Sequence, residues 1–137
     1  MKVVLDTNII LASISPFSKY RPVMDGFEQG DFILCLTTDI LLEYEEKLAE
    51  NFNPTVAELF TGGLLLKQNV EFIEVFFHWR LIYPDMDDNK FADCAVAANA
   101  HYLVTNDRDF RILKNIEFPK ITVLKIEEFM EILEQHS

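Results

Sequence analysis

The sequence predicts a single α/β domain, a three-layer α/β/α sandwich around a central, mostly parallel sheet. The chain has 137 residues, half of them apolar, which suits one domain with a substantial core. Strand-like and helix-like runs alternate along it, and no low-complexity linker or internal repeat divides it. Such alternation is typical of parallel strands joined by helical crossovers that cover both faces of the sheet. We therefore expect one domain over residues 1–137.

The first elements follow from short apolar runs. The β-branched stretch "KVVLD" predicts a buried strand, and "FILCLTT" predicts a second one, whose threonines are suited to cap the next helix. In that helix, "DILLEYEEKLAE", apolar residues recur with helical spacing.

Further helices are expected around "NPTVAELF" and "LLLKQ", with an interruption near Gly62 and Gly63. A glycine pair also occurs in loops that cradle phosphate. The strand and the Lys-Ser/Thr pair that accompany such loops are missing, which favours a turn. The run "NVEFIEVFFHWRLIY" fits both periods, and its aromatic and β-branched residues favour a strand.

The second half of the chain continues the alternation. The predicted elements are, in order, a polar turn "PDMDDNK", a helix "FADCAVAANA", a strand "HYLVT", a short helix "RDFRILKN", a strand "ITVLKI" and a closing amphipathic helix "EEFMEILEQ". The first of these helices has apolar atoms on nearly every side, which predicts that it is buried.

Composition narrows the class of protein. The net charge of −11 argues against binding nucleic acid by general electrostatic attraction. The acid surplus either forms a solvated surface or converges in part on a divalent cation. No run is long and apolar enough for a membrane helix, and no secretory signal is evident, so we expect a cytoplasmic protein with no membrane contact. Cys35 and Cys94 lie in apolar runs and are predicted to be reduced core thiols.

Two acids stand where strands end. Asp6 ends the first strand, and Asp107 closely follows the strand "HYLVT". The carboxyl ends of parallel strands meet at one edge of a sheet, which is where such folds bind ligands. We therefore expect these two carboxylates on the same edge, although about a hundred residues separate them.

Helical acids are further candidates. Asp93 is the one charge inside the buried helix, so it either interacts with the helix dipole or coordinates a ligand. Asp87 and Asp88 precede that helix and fit the N-cap role. Glu43 and Glu45 lie on the two borders of the apolar stripe of their helix, and periodicity does not choose between them.

A gathered set of acids implies a cation. Two carboxylates about 4 Å apart repel by roughly 4 kcal/mol at an effective dielectric constant of 20. Mg²⁺ or Mn²⁺ matches an all-oxygen site, whereas the absence of a His/Cys cluster argues against zinc. Such ions activate water for phosphoryl displacement, so a phosphodiester is the natural substrate.

At this point the sequence resembles the PIN-domain family, in its branch of VapC-like toxin components of toxin–antitoxin systems. The resemblance rests on four ordered blocks that cover nearly the whole chain: "VVLDTNI", "TTDILLEYEEKL", "DMDDNKFADCAVAANAHYLVTNDRDF" and "KITVLKIEEF". It implies a PIN-like α/β/α sandwich and a metal-dependent ribonuclease acting on single-stranded RNA, with four acids at the edge of the sheet.

The resemblance also assigns roles to residues. The four catalytic acids it implies are Asp6, Glu43, Asp93 and Asp107. Asp6, Asp93 and Asp107 would hold the metal, with Glu43 as a further ligand or as the group that orients the attacking water. Three further residues would support the site. Asn8 would hold the loop that carries Asp6, and Thr105 would offer a hydroxyl contact beside Asp107. Asp88 would lie next to the metal ligands or bind a second ion. Asp109 is not counted as a ligand.

Partners follow from the same resemblance. Lys90, Arg108, Arg111 and Lys114 lie near the acidic blocks in sequence, and they form either a phosphate-binding surface, with Lys90 and Arg108 foremost, or scattered solvated side chains. The family implies an antitoxin protein that covers the acidic edge. It also implies a homodimer, for which the aromatic run "FIEVFFHW" offers contact surface.

Two other function classes stay open. One is a non-catalytic PIN-like module that binds protein or RNA without cutting it. The other is a different acid-edged α/β fold, a phosphatase or a response-regulator receiver. The phosphatase pattern requires a second acid two residues after the first, where this chain has Asn8, and the receiver's acid pair is not evident. A nucleophilic Ser or Cys beside His is also disfavoured.

Overall fold

A five-stranded parallel sheet forms the centre of the computed structural model, which describes residues 1–82 and 86–136. The strand order is β3-β2-β1-β4-β5. The strands are β1 (Lys2–Leu5), β2 (Ile33–Leu36), β3 (Val70–Phe72), β4 (Tyr102–Val104) and β5 (Val123–Leu124). All four neighbouring pairs run in parallel. The predicted α/β fold class is confirmed.

The central strand β1 shows why its apolar residues are consecutive and do not alternate with polar residues. Val3, Val4 and Leu5 are fully buried although successive side chains point to opposite faces. Both faces of the sheet are therefore covered, as parallel sheets require. Val3 pairs with Leu34 of β2 on one side and with Tyr102 of β4 on the other.

Six α-helices surround the described part of the sheet. They are α1 (Thr7–Ser13), α2 (Arg21–Glu28), α3 (Thr38–Asn51), α4 (Pro54–Leu66), α5 (Asn89–Ala98) and α6 (Ile126–His136). Sequence analysis assigned no element to the region of α1 and α2. The first is only seven residues long, and its Ile9 and Ile10 are β-branched, so its pattern resembles a strand continuing from β1. None of the described helices has the length and apolar character that a membrane span needs.

The α3 and α4 helices test two expectations about helix ends. Thr37 caps α3, because its Oγ1 accepts a hydrogen bond from Ile40 N at 3.2 Å, as predicted. The interruption expected near Gly62 and Gly63 is wrong, since α4 runs through both. A Cβ at either glycine would meet nothing within 4 Å, so the pair lies on an open face and only lowers helix propensity.

The long strand expected over "NVEFIEVFFHWRLIY" is a second correction. Only Val70–Phe72 is a strand, at an edge of the sheet; Ile73 N makes one further hydrogen bond to Leu36 O of β2, and residues 74–82 continue outside the ladder. Instead, they run beside α5, where Asn89 accepts from Ile82 N at 2.9 Å and donates to Ile82 O at 3.0 Å. The end of that predicted strand and the start of the "PDMDDNK" turn, residues 83–85, lie outside the described residues.

The carboxyl-terminal part follows the prediction more closely. Residues Met86–Asp88 form a 3₁₀ turn before α5, and the short helix expected at "RDFRILKN" is a 3₁₀ helix over Arg108–Asn115. As predicted, α5 is buried, and it packs on β1, β2 and β4. Cys35 and Cys94 are buried free thiols, and burial raises the pKa of Cys35 to about 11 and that of Cys94 to about 12.

Candidate active site

Asp6 lies at the carboxyl edge of the central strand and is only 4% exposed. Its main-chain N–H donates to Val104 O at 3.0 Å, which continues the pairing of β1 with β4. Its Oδ2 accepts a hydrogen bond from Thr105 Oγ1 at 2.8 Å. Burial raises the pKa of Asp6 to about 6; the Thr105 hydrogen bond opposes this, and the charges of Glu43 and Asp107 add to it.

Thr105 joins the ends of the two neighbouring strands. Its Oγ1 donates to Asp6 and accepts from Asp107 N at 3.0 Å. Asp107 in turn caps the following 3₁₀ helix, since its Oδ1 accepts from Asp109 N at 2.9 Å. The strand-end rule therefore placed Asp6 and Asp107 correctly on one edge.

Glu43 reaches the same edge from α3. Its Oε1 lies 2.6 Å from Lys90 Nζ, and its Oε2 accepts a hydrogen bond from the hydroxyl of Thr7. Glu45, which periodicity could not separate from Glu43, instead accepts from Thr61 Oγ1 of α4 at 3.4 Å. The geometry thus selects Glu43 as the α3 acid that faces the site.

A group of three acids lies next to this edge. One carboxylate oxygen from each of Asp88, Asp107 and Asp109 lies within 4.8 Å of the others, and all three residues are half-buried. Asp88 is the N-cap residue of α5, with helical φ −71° and ψ −18°, so it is not in the extended conformation usual for a capping residue. Asp107 belongs both to this group and to the surroundings of Asp6.

Asp93 is directed elsewhere. Its Oδ1 accepts a hydrogen bond from Trp79 N at 3.0 Å, and its Oδ2 lies 3.2 Å from His78 Nδ1. Asp93 and Asp88 are five residues apart, which on a helix is about 140° of rotation. The structure therefore does not bring Asp93 into the group of Asp88, Asp107 and Asp109, although the resemblance implied a metal ligand at this position.

The other predicted positions are at the surface. Asn8 is exposed in the first turn of α1, and Arg108 is exposed at the start of the 3₁₀ helix. Arg111 and Lys114 line a small cavity together with Asp107 and Lys125. Sequence analysis missed Lys125, although it directly follows β5 and the strand-end rule would have found it.

The donor set fits a hard divalent cation. Carboxylate oxygens are what Mg²⁺ and Mn²⁺ prefer, and oxygens within 4.8 Å of one another can surround an ion that binds each at about 2.0–2.6 Å. The remaining neighbours, Thr105, Thr7 and Lys90, hydrogen-bond or pair with acids of the site and hold them in place.

Comparisons with known proteins agree with this fold. A sequence model of the PIN domain matches residues 2–109. A crystal structure of VapBC2 from Rickettsia felis, bound to a DNA fragment from its promoter, is similar with a TM-score of 0.62 and 19% sequence identity. The alignment covers 91% of this chain and 98% of that one. No curated protein sequence matches. Because the family match spans most of the sequence, the chain belongs to the PIN domain family.

Proposed function

We propose that this PIN domain is a metal-dependent endoribonuclease that hydrolyses phosphodiester bonds of single-stranded RNA. The observation that carries the proposal is the convergence of carboxylates from the end of β1, from α3, from the start of α5 and from the end of β4. Acids at such distances repel one another, and a bound cation reverses that repulsion. A structural role alone gives no reason to gather them.

The metal would be held by Asp6, Asp88 and Asp107, with Asp109 as a further ligand. Three of these four already form a close group, and Asp107 connects that group to Asp6. When bound, Mg²⁺ or Mn²⁺ supplies a Lewis acid that polarises the phosphoryl oxygen and lowers the pKa of water. We do not place Asp93 in this set, because its two carboxylate oxygens contact His78 and Trp79.

Glu43 is suited to receive the proton of the attacking water. Thr7 and Lys90 each contact one of its two oxygens, which fixes the plane of the carboxylate. Lys90 therefore forms an ion pair with Glu43. It would make its predicted contact with an RNA phosphate while it remains paired with Glu43. General-base groups of this kind contribute about 10²–10⁴-fold to rate.

The RNA backbone would follow the basic side of Asp107. Arg111, Lys114 and Lys125 gather there, with Arg108 exposed nearby, in a protein of otherwise strong negative charge. Such a local patch positions phosphates without reading bases. Binding through these few cations would weaken as salt rises.

Cleavage of end-labelled single-stranded RNA in Mn²⁺ or Mg²⁺ tests the function. We expect internal cuts that disappear in EDTA, with weak cutting of duplex RNA and of single-stranded DNA of the same sequence. The duplex controls for a contaminating general nuclease, which would cut it as well as the single strand. RNA that binds in an electrophoretic shift without being cut would reject the nuclease and favour the non-catalytic module.

A protein partner is also proposed. The similar structure is a VapBC2 complex, and we infer that this chain is likewise the toxin of a cytoplasmic toxin–antitoxin pair, able to form a homodimer. Exposed Phe72 and Phe77 provide apolar contact surface near the edge strand β3. Light scattering is expected to give a dimer mass alone and a larger mass after co-expression with the product of the neighbouring gene. A monomer in both samples would contradict both contacts.

A further inference from the structure

We propose that the cavity between the start of α3 and residues 73–82 binds the base of one unpaired RNA nucleotide next to the cleaved phosphate, so that base identity there governs where the chain cuts. This inference rests on the proposed ribonuclease function and deepens it. The cavity measures about 660 Å³, within the range of small-ligand sites and large enough for a nucleotide. The lining residues used in the argument are Asp39, Phe76, His78, Arg80, Lys90 and Asp93.

The cavity adjoins the acidic edge. Lys90 lines it, and the Nζ of the same lysine lies 2.6 Å from Glu43 Oε1. Asn89 also lines it, one residue after Asp88 of the acidic group. A nucleotide whose phosphate sits at the acids can therefore place its own or the neighbouring base in the cavity.

The outer wall is fixed to the body of the domain at three points. Ile73 N donates to Leu36 O at 2.8 Å, and Trp79 N donates to Asp93 Oδ1 at 3.0 Å. Ile82 exchanges two hydrogen bonds with the side chain of Asn89. A wall held this way exists before the ligand arrives, which reduces the ordering cost of binding.

The wall presents two different sides. Phe76, His78 and Arg80 line the cavity, whereas Phe77 and Trp79 contact each other with ring centres 4.7 Å apart. Trp79 also meets Phe118, at 5.9 Å, in an edge-to-face contact. Over residues 76–80, alternate side chains therefore point in opposite directions, with one set packing and the other facing the cavity.

The cavity side carries the groups that recognise unpaired bases. Phe76 lines the cavity and is 88% exposed, so the ring is accessible for a base to stack on. Arg80 is exposed and has a φ of 54°, a left-handed conformation uncommon for a residue other than glycine. Backbone strain of this kind clusters at ligand sites. Proteins bind splayed bases by stacking on aromatic rings or arginine and by hydrogen bonds to base edges, which Asp39 and His78 are placed to make.

A single-strand requirement follows from this geometry. A base that enters the cavity has left its stack, and unpairing it from a duplex costs additional free energy. The same cavity would therefore both select single strands and favour particular bases.

Nucleoside monophosphates in Mg²⁺ test the cavity without any bond to cut. Trp79 is the only tryptophan of the chain, and its main-chain N–H donates a hydrogen bond to the cavity residue Asp93, so its fluorescence reports on this wall. We expect a saturable change with at least one of the four nucleotides and none with ribose 5-phosphate, which lacks a base. Phe76→Ala and Arg80→Gly are each expected to weaken binding about tenfold, the scale of one lost stacking contact.

Phe17→Ala is the matched control, because Phe17 is 96% exposed and does not line the cavity. Arg80→Gly keeps the left-handed backbone without strain, so the fold is retained. In cleavage assays the two cavity variants should flatten the base preference at the cut and raise KM more than they lower kcat. Equal binding of ribose 5-phosphate, or cavity variants that bind like the Phe17→Ala protein, would overturn the proposal. Base-dependent binding by a protein that cuts no RNA would support the cavity and reject the nuclease.

Discussion

Asp6→Asn is expected to abolish RNA cleavage and, in metal-free protein at neutral pH, to stabilise the fold. The activity falls because one ligand charge is lost where transition-state charge must be balanced, an effect of at least roughly a hundredfold. Asn keeps the oxygen that accepts the Thr105 hydrogen bond, so the local geometry stays intact.

The gain in stability follows from the pKa of Asp6. Its value rises from 3.8 to about 6 in the folded protein, so the folded state favours the protonated carboxyl group. The contribution of Asp6 to the free energy of unfolding is therefore highest below about pH 4, falls as pH rises to about 6, and is lower by on the order of 3 kcal/mol above that. Asn does not titrate and avoids this loss.

Urea unfolding in EDTA, followed between about pH 4 and about pH 7, measures the effect as the difference between variant and wild type. Glu58→Gln is the control, because it removes one exposed acid on α4. The difference should grow with pH for Asp6→Asn by more than it does for Glu58→Gln. Adding Mn²⁺ should stabilise the wild type more than the variant. If the difference in unfolding free energy between Asp6→Asn and wild type did not change with pH, the pKa of Asp6 would not be raised in the metal-free fold.

The second large effect is a difference in activity between substitutions of Asp88 and of Asp93, two acids five residues apart. Asp88→Asn should lower kcat at least roughly a hundredfold and weaken Mn²⁺ binding, because Asp88 lies with Asp107 and Asp109. Asp93→Asn should keep kcat within a few-fold, since the amide oxygen can still accept the hydrogen bond from Trp79 N. Mn²⁺ binding is measured by titration, from the electron paramagnetic resonance signal of the free ion. The kcat is measured at saturating RNA.

The two variants control for each other, because each removes one negative charge near the start of α5 without changing side-chain size. Their thermal unfolding should be compared first, so that a loss of fold is not taken for a loss of ligand. If Asp93→Asn loses Mn²⁺ and Asp88→Asn keeps it, the metal is held by Asp93, as the family resemblance implied.

The fold was predictable wherever local pattern decides. The run around Val3 reads as a buried strand because both of its faces are covered, and Asp6 and Asp107 follow from the rule that parallel strands end at one edge. The extent of β3 was not predictable. At an edge of the sheet, aromatic content says nothing about whether a ladder continues, and residues 73–82 bond to α5 instead.

The site was predictable only in part, because side-chain direction depends on tertiary contacts. Asp93 drew attention as a lone charge in an apolar helix, and its contacts with His78 and with the main-chain N–H of Trp79 come from a segment that helix periodicity does not place. Asp88 was predicted only as a supporting residue, because its position just before α5 fits an N-cap. Lys90 lies between the acids and the cavity because it pairs with Glu43 of α3, a residue distant from it in sequence.

The place of β1 in the sheet has a consequence for solvent exchange of amide hydrogens. This strand is bonded on both sides, and Asp6 N continues its ladder to Val104. Its amides should exchange with deuterium only when the whole domain unfolds, whereas the three separate attachments of residues 73–82 permit local opening. Under mild denaturation the wall that would select the base, residues 73–82, would therefore unfold locally while β1 still holds Asp6 at the site of cleavage.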